Sequence, residues 1–586
     1  MSSPIRSEYP RPDRVRDSWL TLNGQWDFSF DPQNQGIRQK WYQPGSSLGG
    51  YPLKIEVPFP YQSELSGINS QEHVDVVWYR RSFVLPQSME DKRRLLHFGA
   101  ADYSARIWLD GQLLGSHEGG YSDFTLDVTS LTQPGREHVL TVRCEDRLDF
   151  DQPRGKQSYR PEPFACWYTP VTGLWQSVWL EGVGEFYPED FRLTPDVEHN
   201  AVKVEVSLNE LRPNASVRLT ASFEGKTVAR QEVSLTTDRF LQTTLYLCHN
   251  EEINGAHLWS PGNPNLYDLT IETLADGQTA DQVRTYFGLR EIRACGDKIM
   301  LNSHTLYQRL ILDQGYWPDG LLTAPSAEAL KQDVELTLSM GYNGARKHQK
   351  FEDPIYLYWA DKLGLLVWSE LPSAYWLRDS QKRNMIRDLS EAIRRDYNHP
   401  CIIVWTPLNE SWGVPAIQSQ REAQQLSDCL YHLVHCLDGT RLVSSNDGWE
   451  QAQTDIVTVH DYTAWPDQMS EAYQSEDGVL SGAPNGKLIT AQGYGHWGKP
   501  KIFSEFGGIA MAKDEGGGNW GYNGPVKDEE ALLERYGAIT GAAGRLPGFC
   551  GYCYTQLTDV FQEVNGLLDM NRRPKAKIDE IKRRNH

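Results

Sequence analysis

The chain has 586 residues, too many for one small binding module; at about 150 residues per domain, with large barrels lowering the count, two to four domains are expected. Its 58 basic and 78 acidic residues leave a formal charge of -20, which repels phosphate backbones and argues against a nucleic-acid partner. No run approaches the roughly 18 consecutive apolar residues of a membrane span, and the opening MSSPIRSEYPRPDRVRD lacks the apolar core of a secretion signal. A cytoplasmic protein with no membrane partner is the expectation, and nine cysteines without regular spacing suit a reducing compartment.

Up to residue 182 the sequence alternates with period two in short runs, 26–30, 78–84, 95–98, 105–109, 139–144 and 177–181, separated by Gly, Asp and Pro. That pattern predicts antiparallel strands and an amino-terminal β-sandwich over 1–182. Asp110-Gly111 between two such runs reads as a two-residue hairpin turn. A second all-β stretch, 183–292, has the length of an immunoglobulin-like sandwich. From 293 to 586 helical windows alternate with short apolar runs at 306–312, 343–346, 365–368, 401–405, 442–445, 456–460, 502–505 and 548–554. Eight such runs predict a (β/α)8 TIM barrel, with catalytic groups at the carboxyl ends of its strands.

Glu370, Glu410 and Glu505 fall at such strand ends. A carboxylate beside Phe, Trp and Leu is costly to bury unless it is paired, so each could be a structural ion pair. Glu410 and Glu505, however, would face each other across the barrel mouth from the fourth and seventh strands. Double-displacement glycoside hydrolysis needs that arrangement, with one carboxylate attacking the anomeric carbon and the other protonating the leaving oxygen. The chain also carries 65 aromatic residues, 19 of them Trp, and flat apolar faces suit pyranose rings. His348, His399, His460 and His496 lack a His-Glu-x-x-His pattern, and there is no phosphate-cradling glycine motif, so no catalytic metal and no cofactor are expected. Cys550-Gly551-Tyr552-Cys553 has redox spacing but sits in an apolar run, which predicts buried core cysteines.

At this point the chain resembles glycoside hydrolase family 2, the family of β-galactosidases, β-glucuronidases and β-mannosidases. Arg395-Asp396-Tyr397-Asn398-His399-Pro400 through Trp405, followed by Asn409-Glu410, is similar to its acid/base signature, and Ser504-Glu505-Phe506-Gly507 to its nucleophile strand. Leu22-Asn23-Gly24-Gln25-Trp26 and Thr172-Gly173-Leu174-Trp175-Gln176 resemble its jelly-roll, sugar-binding domain; Trp259-Ser260-Pro261 and Phe287-Gly288-Leu289-Arg290 resemble the end of its central domain. The resemblance implies Glu505 as nucleophile, Glu410 as acid and then base, Asn409 on the sugar 2-hydroxyl, Tyr462 steadying the nucleophile, and Glu370 as a recurrent acidic residue. It also implies a carbohydrate substrate and often a homo-oligomer.

Departures bear on the terminal sugar. Gln308-Arg309-Leu310 replaces the family's Asn-Arg-His loop, and Arg346-Lys347-His348 shifts its Arg and His, leaving His348 as a candidate ligand. Where β-glucuronidases carry an Asn-x-Lys pair, this chain has Glu563, Val564 and Asn565, and an acid there would repel a uronate. The expectation is therefore a retaining exo-β-glycosidase, with β-galactosides leading. A β-glucuronidase, another β-glycosidase (β-mannoside, galactofuranoside, arabinopyranoside) and a non-catalytic carbohydrate-binding protein stay open. The loop Asp149 to Gln157 is expected to close the pocket with Asp151 and Arg154, and Asp313 and Trp317 to line it from the barrel.

Overall fold

A computed structural model of the chain describes residues 6–50, 52–247, 256–514 and 516–585. Residues 1–5 of the opening segment lie outside the described residues. The amino-terminal third packs a six-stranded antiparallel sheet, ordered Leu53–Val57, Gly24–Phe30, Val76–Val84, Glu137–Glu145, Ser104–Leu109, Gln112–Glu118, on a four-stranded one containing Arg93–Phe98 and Val178–Val183. Alternate residues of the two sheets, among them Trp26, Phe28, Tyr79, Phe98, Ile107 and Leu180, meet in one buried core. In the hairpin, Leu109 pairs with Gln112. Asp110 and Gly111 both take positive φ, 50° and 81°. That is the turn hand that right-twisted strands favour, and Asp tolerates it better than a branched residue would.

A second sandwich follows, with a five-stranded and a three-stranded sheet over a core of Val204, Val206, Leu219, Ile271, Val283 and others. Arg14–Val15, from the amino-terminal segment, forms the edge of its five-stranded sheet by pairing with Gln278–Phe287. The carboxyl-terminal part is a curled eight-stranded parallel sheet: β1 Gln308–Asp313, β2 Gly344–Lys347, β3 Leu366–Glu370, β4 Ile402–Thr406, β5 Leu442–Val443, β6 Val457–His460, β7 Lys501–Gly507 and β8 Phe549–Thr555. The ladders run β5-β4-β3-β2-β1-β8-β7-β6, with the first and eighth strands paired as closure requires.

Helices cover most of these strands for reasons visible in their ends. Ser326 accepts from Ala329 N to cap Ala327–Ser339. Asp353 caps Pro354–Leu363, which stops at Gly364 in the left-handed conformation. A third helix spans Asp379–Asp396. Among the described residues no helix joins β5 to β6. There Asp455 bridges the gap, accepting from Val443 N through its side chain and donating to Val443 O through its backbone. Cys550 and Cys553 lie buried within β8.

Candidate active site

Each acidic side chain expected at the barrel mouth is placed by a local irregularity. In β7 one extra residue, Ser504, bulges so that Glu505 rather than its neighbour stands opposite His460 at the end of β6. The chain then turns away at Gly507, whose φ is 92° and where a Cβ would lie 2.3 Å from the Tyr554 ring. Glu410 and Ser411, just beyond β4, both take left-handed φ, 52° and 61°. Such conformations cost of order 1 kcal/mol per non-glycine residue and persist only where the surroundings hold them. Here Asp447 O accepts from Glu410 N at 2.9 Å, Asn446 Oδ1 from Ser411 N at 3.0 Å, and Glu450 Oε2 from Ser411 Oγ at 2.6 Å.

Under the two glutamates lies a buried ionic cluster. Arg346, fully buried at the end of β2, reaches Glu505 Oε1 at 2.6 Å, Asn409 Oδ1 at 2.7 Å, and Glu370 and Asp447 at 2.9 Å each. His460 donates from Nδ1 to Glu410 Oε1 at 2.8 Å and from Nε2 to Asp447 Oδ2 at 3.1 Å, with Glu505 Oε1 3.6 Å away. Tyr462 donates to the other oxygen of Glu505 at 2.6 Å. One ligand atom each from Glu410, His460 and Glu505 lie within 4.8 Å of one another, so the two carboxyl groups approach to that distance or less.

Charge in this cluster is set by competition. Burial alone would raise Glu505, but His460, Arg346 and Tyr462 outweigh it and hold the carboxyl at about 2. Burial would lower His460, yet Glu505, Asp447 and Glu410 raise it to about 10, so both its nitrogens carry protons at neutral pH. Glu370 is pushed up to about 8 by burial, with Asp447 and Glu505 adding to it against Arg346. Burial, with Arg346 beside it, drives His348 well below its usual range, so that it is a neutral ring. Two cations, Arg346 and His460, thus face two anions, Asp447 and Glu505, and the buried charges balance. The Glu410, His460 and Glu505 trio spans a metal-sized site, as do Asp361, His399 and Cys401 elsewhere. In the first, an imidazolium has no lone pair to offer; in the second, Asp361 already accepts from His399, Tyr286 and Cys401 N.

Above the cluster opens a cavity of about 180 Å³ lined by Glu410, Glu505, His348, Tyr462, Gln314, Thr555, Trp412, Tyr522, Trp520, Glu563, Cys166 and Lys156. Of the residues singled out from sequence, Glu410, Glu505, Tyr462 and His348 meet in it, while Asn409 and Glu370 stand behind it through Arg346. Four others lie elsewhere. Asp313 is bound to Lys347 at 2.6 Å in a buried network with Glu352 and Lys350. Trp317 is buried beneath the Arg572 guanidinium, 3.4 Å from its ring centroid. Asp151 accepts from Ser380 Oγ on a barrel helix. Arg154 is buried against Asp146 at 2.8 Å.

The loop that carries Asp151 and Arg154 nevertheless reaches the cavity, through Lys156. Arg154 N and Gly155 N both donate to Ser373 O at 3.1 Å, and Phe150 O accepts from Tyr375 N, so the loop is strapped to the segment after β3. A Cβ at Gly155, φ 61°, would lie 2.3 Å from Gln349 O. Lys156 is 7% exposed, and among the described residues its ammonium forms no ion pair and no hydrogen bond; it sits 5.2 Å over the Trp412 ring. Burial would lower its pKa, but Cys166, Glu563, Glu505 and Glu410 raise it. Glu563 faces the same cavity and accepts from Tyr168 OH and from Gln314 Nε2. Sequence reasoning missed Arg346, Asp447, His460 and Lys156 as site residues. The first and third end apolar barrel runs with a polar residue, which is a usable signal; Lys156 and Asp447 carry none.

Comparison with known proteins agrees with this geometry. The sequence matches glycosyl hydrolases family 2, sugar binding domain, over residues 20–152, glycosyl hydrolases family 2 over 187–290, and its TIM barrel domain over 323–536. A β-glucuronidase of Paenibacillus borealis is 25% identical, covering 95% of this chain and 94% of the relative. A β-galactosidase of Thermoanaerobacter pseudethanolicus is 24% identical over 57% of this chain and 45% of its own. Among solved structures, the β-glucuronidase of Ruminococcus gnavus in complex with D-glucuronic acid superposes with a TM-score of 0.79 at 19% identity, covering 100% of both chains. The β-galacturonidase of Eisenbergiella tayi does so at 0.74 and 21%, covering 99% and 98%.

Proposed function

The chain belongs to glycoside hydrolase family 2, and on that premise we propose that it is a retaining exo-β-glycosidase in which Glu505 is the nucleophile and Glu410 the acid, then the base. The observation that carries this reading is the approach of the two carboxyl groups to within 4.8 Å. Retaining pairs stand roughly 5 to 5.5 Å apart, whereas inverting pairs leave about 6.5 to 9.5 Å for a water. Glu505, held ionised, attacks the anomeric carbon as Glu410 gives its proton to the departing oxygen. Once Glu505 is esterified its charge is gone, the repulsion between the two groups falls, and Glu410 takes a proton from the incoming water. Arg346 and Tyr462 keep one lobe of Glu505 aimed throughout.

For the terminal sugar, a β-linked uronic acid ranks ahead of the β-galactoside that the sequence favoured. The relative above that is matched over 94% of its length is named β-glucuronidase, and Lys156 supplies to the cavity an ammonium that no described residue pairs. The repulsion expected from Glu563 is tempered because its carboxylate is tied to Tyr168 and Gln314 and has Lys156 across the same space. The test is a panel of aryl β-glucuronides, β-galacturonides, β-galactosides, β-glucosides, β-mannosides, β-galactofuranosides and arabinopyranosides. Wild type should cleave at least one, Glu505→Gln none, and Glu410→Ala with added azide should give the β-glycosyl azide. An α-azide would end the double-displacement reading. A wild type as inert as Glu505→Gln on the whole panel would leave a carbohydrate-binding protein without turnover.

A further inference from the structure

The ring of His460 stands between the two glutamates and is fixed on every side. It is fully buried at the end of β6, with Nδ1 2.8 Å from Glu410 Oε1, Nε2 3.1 Å from Asp447 Oδ2, and Glu505 Oε1 3.6 Å from Nε2. A neutral imidazole has one N–H to give, so two carboxyl partners suit the imidazolium, in keeping with the raised pKa of this residue. Gly448 passes so close that a Cβ there would lie 2.6 Å from the ring Nδ1, and Trp449 meets the ring edge-on at 5.6 Å and 70°. Asp447, the anchor, is held in turn by Arg346 at 2.9 Å and by Ser444 Oγ at 3.2 Å.

Double displacement carries one negative charge past this ring. A Glu505 oxygen bonds to the anomeric carbon as the glycosidic C–O bond breaks, and the departing electron pair takes the proton of Glu410. Glu505 thereby becomes a neutral ester and Glu410 becomes the anion. Arg346 does not follow that charge: it lies 2.6 Å from Glu505, and among the described residues its ion pairs are with Glu370, Asp447 and Glu505. His460 does follow it. Because the ring is 2.8 Å from Glu410 and 3.6 Å from Glu505, the anion ends nearer the cation than it began. The cation is in place before the substrate arrives, so nothing has to turn as the charge moves.

We infer that His460 is a positioning residue for this moving charge: a fixed counter-ion, anchored by Asp447 and shared by both glutamates, that favours glycosylation by drawing the anion from Glu505 towards Glu410. This rests on the glycosidase reading above. His460→Asn tests it, because the Asn amide overlies ring Nδ1 and keeps a donor to Glu410 while removing the charge. At pH 7, kcat/KM reports glycosylation and release of a 2-deoxy-2-fluoro glycosyl-enzyme reports the second half-reaction, both with the terminal sugar that the panel identifies. At an effective dielectric of about 20, bringing a unit charge from 3.6 to 2.8 Å of a cation is worth roughly tenfold. The transition state realises part of that, so kcat/KM for the phenyl glycoside, whose poor leaving group needs the acid, should fall roughly three- to tenfold. For the dinitrophenyl glycoside, which departs without the proton of Glu410, kcat/KM should hold or rise. Release of the fluoroglycosyl-enzyme should also hold or rise, since there the anion moves away from the cation. A variant slowed alike on both glycosides, or in both half-reactions, would overturn the inference with the glycosidase reading intact and reduce His460 to a prop for Glu410. Should His460→Asn not fold, His460→Gln, equally uncharged, carries the same comparison. A wild type inert on the whole panel would end both readings together.

Discussion

His460 is the residue on which the charge balance turns. Among the described residues it is the only cation that touches both glutamates, at 2.8 Å and 3.6 Å, and it is the largest favourable influence holding Glu505 near 2. Replacing it in His460→Asn removes that influence, so the acid limb of kcat/KM should move up by about one unit or more while the alkaline side changes less; an unmoved acid limb would assign the control to Arg346. The stability effect has a definite sign. A histidine raised from 6.5 to about 10 stabilises the fold fully below 6.5 and loses that contribution as pH rises through 10. The difference in melting temperature between wild type and His460→Asn should therefore shrink from pH 6 to pH 10. Glu370 gives a complementary check. With its carboxyl pushed up to about 8, it is mostly protonated at neutral pH, and Gln reproduces that state. Glu370→Gln should retain most of the pH 7 rate, whereas Glu370→Ala, which leaves a void beside Arg346, should lose stability by about 3 kcal/mol or more. Loss of activity in both variants alike would mean that the charged form is needed.

At the scale of elements, the loop from Asp149 to Gln157 shows what composition encodes. Its Pro, Gly and polar residues mark a non-strand segment, and that much is readable. Which side chain turns inward is decided by docking on Ser373 and Tyr375, far away in sequence. The expectation for Arg154 changes accordingly. With its guanidinium buried against Asp146, Arg154→Ala should act on the fold, costing about 3 to 5 kcal/mol by stranding a buried carboxylate. Lys156→Met keeps the stem and removes only the charge. It should leave the melting temperature nearly unchanged and raise KM selectively for uronides, by roughly tenfold for one charge-assisted hydrogen bond. Equal effects on neutral and anionic glycosides would remove Lys156 from sugar selection. The barrel strands were legible because each is a short apolar run buried on both faces. Asp313 misled for the same reason: a polar residue at a strand end satisfies either a ligand or a buried lysine, and only Lys347 from β2 settles which, while Trp317 is turned inward by Arg572 from the far end of the chain.

At the scale of the molecule, the barrel does not own its core. The buried cluster that holds Leu310, Trp368 and Phe503 continues through Tyr121, Tyr168 and Trp175 of the first sandwich and through Trp259 of the second. Trp175 O and Pro58 O both accept from Thr323 Oγ1, and Trp259 Nε1 donates to Asp361 O. Residues 293–586 expressed alone should consequently expose these faces, bind a hydrophobic dye, and unfold without a sharp transition, where the full chain unfolds cooperatively; a well-folded, soluble fragment with ordinary cooperativity would contradict the shared core. Closure adds a constraint on biosynthesis. The first barrel strand waits for β8, its neighbour, which the ribosome delivers only after every other strand and after both glutamates. A nascent or prematurely terminated chain that ends before Phe549 would thus carry the whole reactive pair on a sheet with raw edges at Gln308–Asp313 and Lys501–Gly507, ready to pair with another copy before it could ever turn over a substrate.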